Sequence, residues 1–139
     1  MRHRLFVYGT LLSGQPNARL LAGAACLGPA ATTARFHLLD CSQLADYGCF
    51  PGLRAGGDAS VKGELYLVDD GQLAALDRFE GHPDLFTRRE IDLAGGGRAW
   101  AYMVPGARFS EARLIPGGDW RRHRRRQAAL RLAGQLRGP

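Results

Sequence analysis

The sequence predicts an α+β domain with a curled or closed sheet, and three observations lead there. Short apolar runs rich in β-branched and aromatic residues recur between turns that carry glycine or proline, which marks strands. A few stretches place apolar residues at helical spacing instead. Strands and helices do not alternate as βαβ units and no fixed-period repeat is present, which argues against a doubly wound sheet or a solenoid. About six strands and three helices are expected. The 139 residues suit one compact core, and 45% hydrophobic with 23% charged residues is ordinary for a globular chain.

Taken in order, Leu5 to Tyr8 is an apolar, aromatic and β-branched run stopped by Gly9-Thr10, so it reads as a buried strand leaving into a tight loop. Pro16 suits a first helical turn, and Ala18, Leu20, Leu21 and Ala22 continue a helix up to Gly23. Ala31 to Leu39 is extended and is followed by a polar, turn-rich segment closing with Phe50-Pro51-Gly52-Leu53. After the Gly56-Gly57-Asp58 turn, Val61 to Val68 alternates as a strand, with Gly63 as a possible bulge. Asp69-Asp70 caps a helix whose Leu73, Leu76 and Phe79 recur on one side, and Gly81 with Pro83 ends it. Leu85 to Leu93 and Arg98 to Val104 are two strands joined through Gly95-Gly96-Gly97. Beyond the break at Ile115 to Asp119, a basic helix starts at Trp120 and sets Ala129, Leu132, Ala133 and Leu136 on one side.

Charge divides the chain into residues 1–119, the domain body, and 120–139, a basic helix and tail packed on it or extending from it. Of the 19 basic side chains behind the net charge of +6, Arg121, Arg122, Arg124, Arg125, Arg126, Arg131 and Arg137 all lie beyond Asp119, where no carboxylate follows. The body is close to neutral. No apolar run approaches the ~20 residues of a membrane span and no signal-peptide pattern precedes the first strand, so no membrane association and a cytoplasmic location are expected. Cys26, Cys41 and Cys49 are odd in number and lack metal-ligand spacing, which favours reduced thiols and no metal site.

Two motifs carry candidate chemistry. Tyr8-Gly9-Thr10-Leu11 ends a strand in a turn whose successive backbone N–H groups form a concavity suited to a carboxylate or a developing oxyanion. Strand-Gly-Thr turns are common, and a tight turn with no ligand is the ordinary reading. The second is Leu76-Asp77-Arg78-Phe79-Glu80-Gly81. An acid between an apolar helix face and a glycine is expected to be partly desolvated, which raises a carboxyl pKa and suits it to proton transfer near neutral pH. Alone, such a glutamate is more often a solvated helix-end residue, and an ordinary ion pair with Arg88 or Arg89 is an equal alternative. His82 reads as a loop histidine facing solvent.

In content and order, Tyr8-Gly9-Thr10-Leu11, Phe50-Pro51-Gly52-Leu53, Leu76-Asp77 with Glu80-Gly81, and Gly118-Asp119-Trp120 resemble the γ-glutamylcyclotransferase-like (AIG2-like) family over residues 4–122. The resemblance extends to its γ-glutamylamine cyclotransferases and to the enzyme that removes a γ-glutamyl protecting group in butirosin biosynthesis. It implies a small mixed β-barrel of about six strands flanked by helices. It also implies Glu80 as the catalytic acid/base, with Tyr8, Gly9, Thr10 and Leu11 binding the γ-glutamyl group and Tyr102 as a pocket aromatic. The implied reaction is ring closure of a small-molecule γ-glutamyl amide or peptide to 5-oxoproline with release of an amine. The substrate's own α-amine is the nucleophile, so no cofactor is implied. Two departures bear on the released amine: Phe86 stands where many relatives have tyrosine, and the loop after Thr10 carries no lysine.

Two other classes compete. Trp120 to Arg126 offers clustered arginines and a stacking ring for phosphates or nucleic acid, but no recognition motif accompanies it and a solvated helix face is the ordinary reading. A non-catalytic binding module of the same fold is the other, against which stands the Glu-Gly motif.

Overall fold

Eight strands and two helices make up the computed structural model, which describes residues 1–42, 48–106 and 108–136; part of the turn-rich segment before Phe50, and Arg137 in the tail, lie outside the described residues. The strands are β1 (Arg2–Val7), β2 (Ala25–Ala31), β3 (Phe36–Asp40), β4 (Pro51–Ala55), β5 (Lys62–Asp69), β6 (Thr87–Asp92), β7 (Arg98–Met103) and β8 (Arg113–Leu114); the helices are α1 (Asp70–Glu80) and α2 (Trp120–Leu136). They form one mixed sheet in the order β2-β5-β1-β7-β4-β3-β8, with β6 also on β7. The sheet curls into a half-barrel flanked by the two helices. Its inner face holds the core, where Leu5, Phe6, Val7, Leu38, Leu53, Val68 and Leu76 are almost fully buried.

The architecture positions a fork. Strand β6 pairs along the whole of β7, from Thr87 opposite Met103 to Asp92 opposite Arg98. The other edge of β7 is shared by two parallel neighbours, β1 through Leu5 and Trp100 and β4 through Leu53 and Met103. Where β1 leaves and β4 takes over, Tyr8 fills the gap: its hydroxyl donates to the Tyr102 carbonyl at 2.6 Å and accepts the Leu53 N–H at 3.2 Å. A side chain there replaces ladder bonds that the diverging strands cannot make, and buried backbone groups need such partners.

Several expectations change. The helix after Pro16 shrinks to a single 3-10 turn at Ala18–Leu21, whose Asn17 makes no side-chain cap and which buries only Leu21. The extended stretch at Ala31 to Leu39 splits into β2 and β3, and β2 begins earlier, at Ala25. Gly28 and Pro29 hide β2 in sequence, but it sits at the sheet edge, where proline is tolerated. Pro51 to Ala55 is a strand, not only a turn. Gly63 is not the bulge, which falls between Cys26 and Gly28. A Cβ at Gly63 would stand 2.0 Å from the Val7 carbonyl oxygen, so its glycine serves a close approach of strands.

Helix α1 forms as its caps predict. Asp69 accepts the Gln72 N–H at 2.7 Å, Gln72 returns a hydrogen bond from the Asp69 N–H, and Gly81 ends the helix at φ 67°. Leu73 and Leu76 face the core, whereas Phe79 is exposed and leaves the buried side. Helix α2 spans the expected residues, yet only Trp120 is buried; Ala129, Leu132 and Leu136 are exposed, so the expected apolar side is not packed on the domain.

The first turns of α2 instead bolt onto the body by polar contacts. Arg121 reaches the Ser13 carbonyl and the Glu64 carboxylate, and Glu64 also accepts the Ser13 N–H and hydroxyl. His123 and Gln127 meet Asp40 at 2.8 and 3.1 Å. Burial alone would raise the Asp40 carboxyl, but hydrogen bonds with Ser42 and His123 outweigh it and hold it below its ordinary value.

Candidate active site

A cavity of about 270 Å³ opens beside the fork, between the end of β1, the last turn of α1 and the segment that enters β4. Tyr8, Gly9, Thr10, Leu11, Glu80 and Tyr102 all line it, so the six residues expected to catalyse or to bind the γ-glutamyl group converge on one space.

The loop after β1 is shaped by close approach. A Cβ on Gly9 would lie 2.3 Å from the Pro51 side chain, so glycine lets the loop pass under β4. The Gly9 carbonyl accepts from Leu12 at 3.0 Å, and that of Thr10 from Asn17 at 2.9 Å, while the Asn17 side-chain amide donates to the Thr10 hydroxyl at 3.0 Å. The carbonyls are thus turned into the loop. Among the described residues no acceptor takes the backbone N–H groups of Gly9, Thr10 or Leu11. Three consecutive free amides beside a cavity make a site for negative charge.

Glu80 stands on the last turn of α1 and meets no hydrogen-bond donor or ion-pair partner among the described residues. Burial pushes its carboxyl up to about 7. The negative end of the helix acts in the same direction, since it disfavours an ionised carboxylate. Neither Arg88 nor Arg89 pairs with it. Arg88 instead grips Asp77, one turn earlier, with Nε at 2.8 Å and an η nitrogen at 3.1 Å, and lies 4.4 Å over the Trp100 ring. The Tyr102 hydroxyl donates to the same Asp77 at 2.7 Å. Burial would raise the Asp77 carboxyl, but these bonds outweigh it and hold it below its ordinary value.

Tyr8 and Tyr102 both have phenols pushed up, by burial first, with Glu80 among the further causes. Glu80 lines the same cavity as both rings. Tyr8 offers the cavity its ring, because its hydroxyl is spent on the backbone of β7 and β4. His82 turns inward enough for Nδ1 to accept the Arg88 N–H at 3.0 Å and does not line the cavity. Cys41 is buried with its thiol pushed up to about 12, a poor nucleophile, whereas Cys49 lies at the cavity. Sequence reasoning missed the Asp77–Arg88–Tyr102 cluster; Asp77 three residues before Glu80 on one helix was the available signal.

Comparison with known proteins gives a family, sequence relatives and structural neighbours. The family described as gamma-glutamyl cyclotransferase, AIG2-like, matches residues 5–122. A Vibrio cholerae protein provisionally named a γ-glutamylcyclotransferase is 38% identical over 120 residues, 86% of this chain and 96% of its own length. The γ-glutamylaminecyclotransferase of Bos taurus is 42% identical over 94 residues, 65% of this chain and 55% of that protein. Among solved structures, an AIG2-like protein from Mus musculus superimposes with a TM-score of 0.71 at 27% identity, covering 85% of this chain and 88% of the other.

Proposed function

Since the chain belongs to the AIG2-like γ-glutamyl cyclotransferase family, we propose that it converts a γ-glutamyl amide to 5-oxoproline and a free amine, with Glu80 moving the protons. Glu80, as carboxylate, takes a proton from the substrate's α-ammonium. The freed amine nitrogen attacks the γ-carbonyl carbon, a five-membered ring closure helped by proximity. The carbonyl electron pair moves onto oxygen, and the oxyanion is met by the free amides of Gly9, Thr10 and Leu11. Collapse breaks the bond to the departing nitrogen, which receives the proton from Glu80, and the ring nitrogen, made cationic by the attack, gives its second proton to the freed amine, which leaves as an ammonium ion. One carboxyl group thus acts as base and then acid, for which a pKa near the working pH is the best compromise.

Supporting this reading above all is the pairing of an unpartnered carboxyl, raised to about 7, with three unpartnered amides around one cavity. Tyr102, held by Asp77, lines the same cavity. No cofactor enters these steps. We place the reaction in the cytoplasm, where thiols such as those of Cys26 and Cys49 stay reduced.

The test is 5-oxoproline release from a series of γ-glutamyl amides by the wild-type protein and by Glu80→Gln. The variant should fold and lose roughly a thousandfold in rate. Equal rates for the two proteins remove Glu80 from the reaction, and no turnover of any amide by the wild type favours a binding module.

A further inference from the structure

The reaction proposed above uses only part of the cavity. Beyond Glu80, Tyr102 and the loop amides, the lining includes Cys49, Phe50, Phe79, Leu85 and Phe86. Phe50 meets the Phe86 ring edge-on at 5.9 Å and 74°, a fixed aromatic wall. Phe79, next to Glu80, is 44% exposed, an aromatic surface that a ligand at the mouth would cover. Among the described residues the lining carries no charged side chain other than Glu80.

Two carboxylates outside the lining are held by partners. Asp77 is held by Arg88 and Tyr102, and Asp40 by His123 and Gln127. Arg124 touches the Cys49 sulfur at 3.6 Å, but the same nitrogen donates to Gln127 at 2.8 Å and the guanidinium lies over Trp120. Among the described lining residues an ammonium on the departing group would meet no carboxylate besides Glu80, which the reaction occupies, and would lose hydration on entering; a carboxylate would meet no cation in that lining. Burying an unpaired charge is costly, whereas a ring gains from burial against other rings.

Resting on that reaction, we infer that the released amine bears an uncharged apolar substituent of about ring size, recognised by Phe50, Phe79, Leu85 and Phe86. The departing group lies along the phenylalanine wall while the γ-glutamyl part stays with the loop amides.

Three amides separate the outcomes: γ-glutamylbenzylamide, cationic γ-glutamylputrescine and anionic γ-glutamylglycine. The benzylamide should exceed both others at least about tenfold in kcat/KM. An equal or better rate with either charged amide overturns the inference. Calorimetric binding of the same three to Glu80→Gln keeps the two ideas apart. If the wild type turns over none of them and the benzylamide still binds tightest, the reaction fails and the apolar subsite stands; with no preference in binding either, both fail. Phe79→Ala, at an exposed position, should lower kcat/KM about tenfold for the benzylamide and far less for γ-glutamylmethylamide. An equal loss on both removes Phe79 from recognition.

Discussion

Asp77 and Glu80 sit one turn apart on α1, and both are carboxylates beside the same cavity wall, yet their surroundings are opposite. Asp77 receives two hydrogen bonds from Arg88 and one from Tyr102, and its carboxyl is held low. Glu80 meets no partner among the described residues, and its carboxyl rises to about 7. The middle turn of the helix is therefore saturated, and the last turn carries a carboxyl without a partner among the described residues. A saturated acid fixes Tyr102 and braces the wall; an acid left dry and free can exchange protons. The same logic separates the two ends of the Tyr8 motif, where the Tyr8 hydroxyl is bound on both sides while the following amides stay open.

The contrast between the two carboxylates makes opposite predictions for stability. Glu80 has its folded pKa raised from 4.5 to about 7, so the folded state binds the proton more tightly than the unfolded one. Stability then falls as pH rises through that window, by up to roughly 3 kcal/mol. Denaturant titrations at pH 5 and pH 8 should show Glu80→Gln gaining on the wild type at the higher pH. A constant difference between the two proteins across that range would break the comparison.

Asp77 works with the other sign. Its folded pKa lies below 3.8, so its contribution is present above that value and disappears only as pH falls through the folded pKa. Asp77→Asn should destabilise by about 2 kcal/mol at neutral pH, because Arg88 keeps its charge in a partly buried place and loses its partner. A variant as stable as the wild type, measured by urea midpoint, would mean that the cluster braces nothing.

Tyr8→Phe sharpens the contrast at the fork. It keeps the ring but leaves the Leu53 N–H and the Tyr102 carbonyl without their bridge, so a loss of roughly 1–2 kcal/mol is expected. Faster hydrogen exchange at the Leu53 amide should accompany it, and an unchanged exchange rate would show that the bridge is dispensable.

What was legible in the sequence tracks how local its cause is. Asp69, Gln72 and Gly81 act within a few residues of α1, so both ends of the helix read correctly. Strand β4 was hidden because Pro51-Gly52 has turn chemistry, and only pairing with β3 and β7 makes it extended. Phe79 continues the helical spacing of Leu73 and Leu76, but it is 44% exposed and lines the cavity instead of the core. The exposed side of α2 repeats that lesson: its apolar spacing is real, while its anchoring runs through Arg121, His123 and Gln127.

The order of the two motifs, the helix that carries Glu80 and the glycine loop opposite it follow from short-range chemistry, and the sequence alone was enough for them. Which carboxylate would be paired was beyond it, since Arg88 had two acids within reach and only the strand register of β6 against β7 aims it at Asp77. The Tyr8 bridge spans 94 residues to Tyr102, a separation that no local pattern encodes. Hydrogen bonds and burial depend on where chains meet in space, and so the tertiary structure decided which acid stays dry, unpaired and able to act.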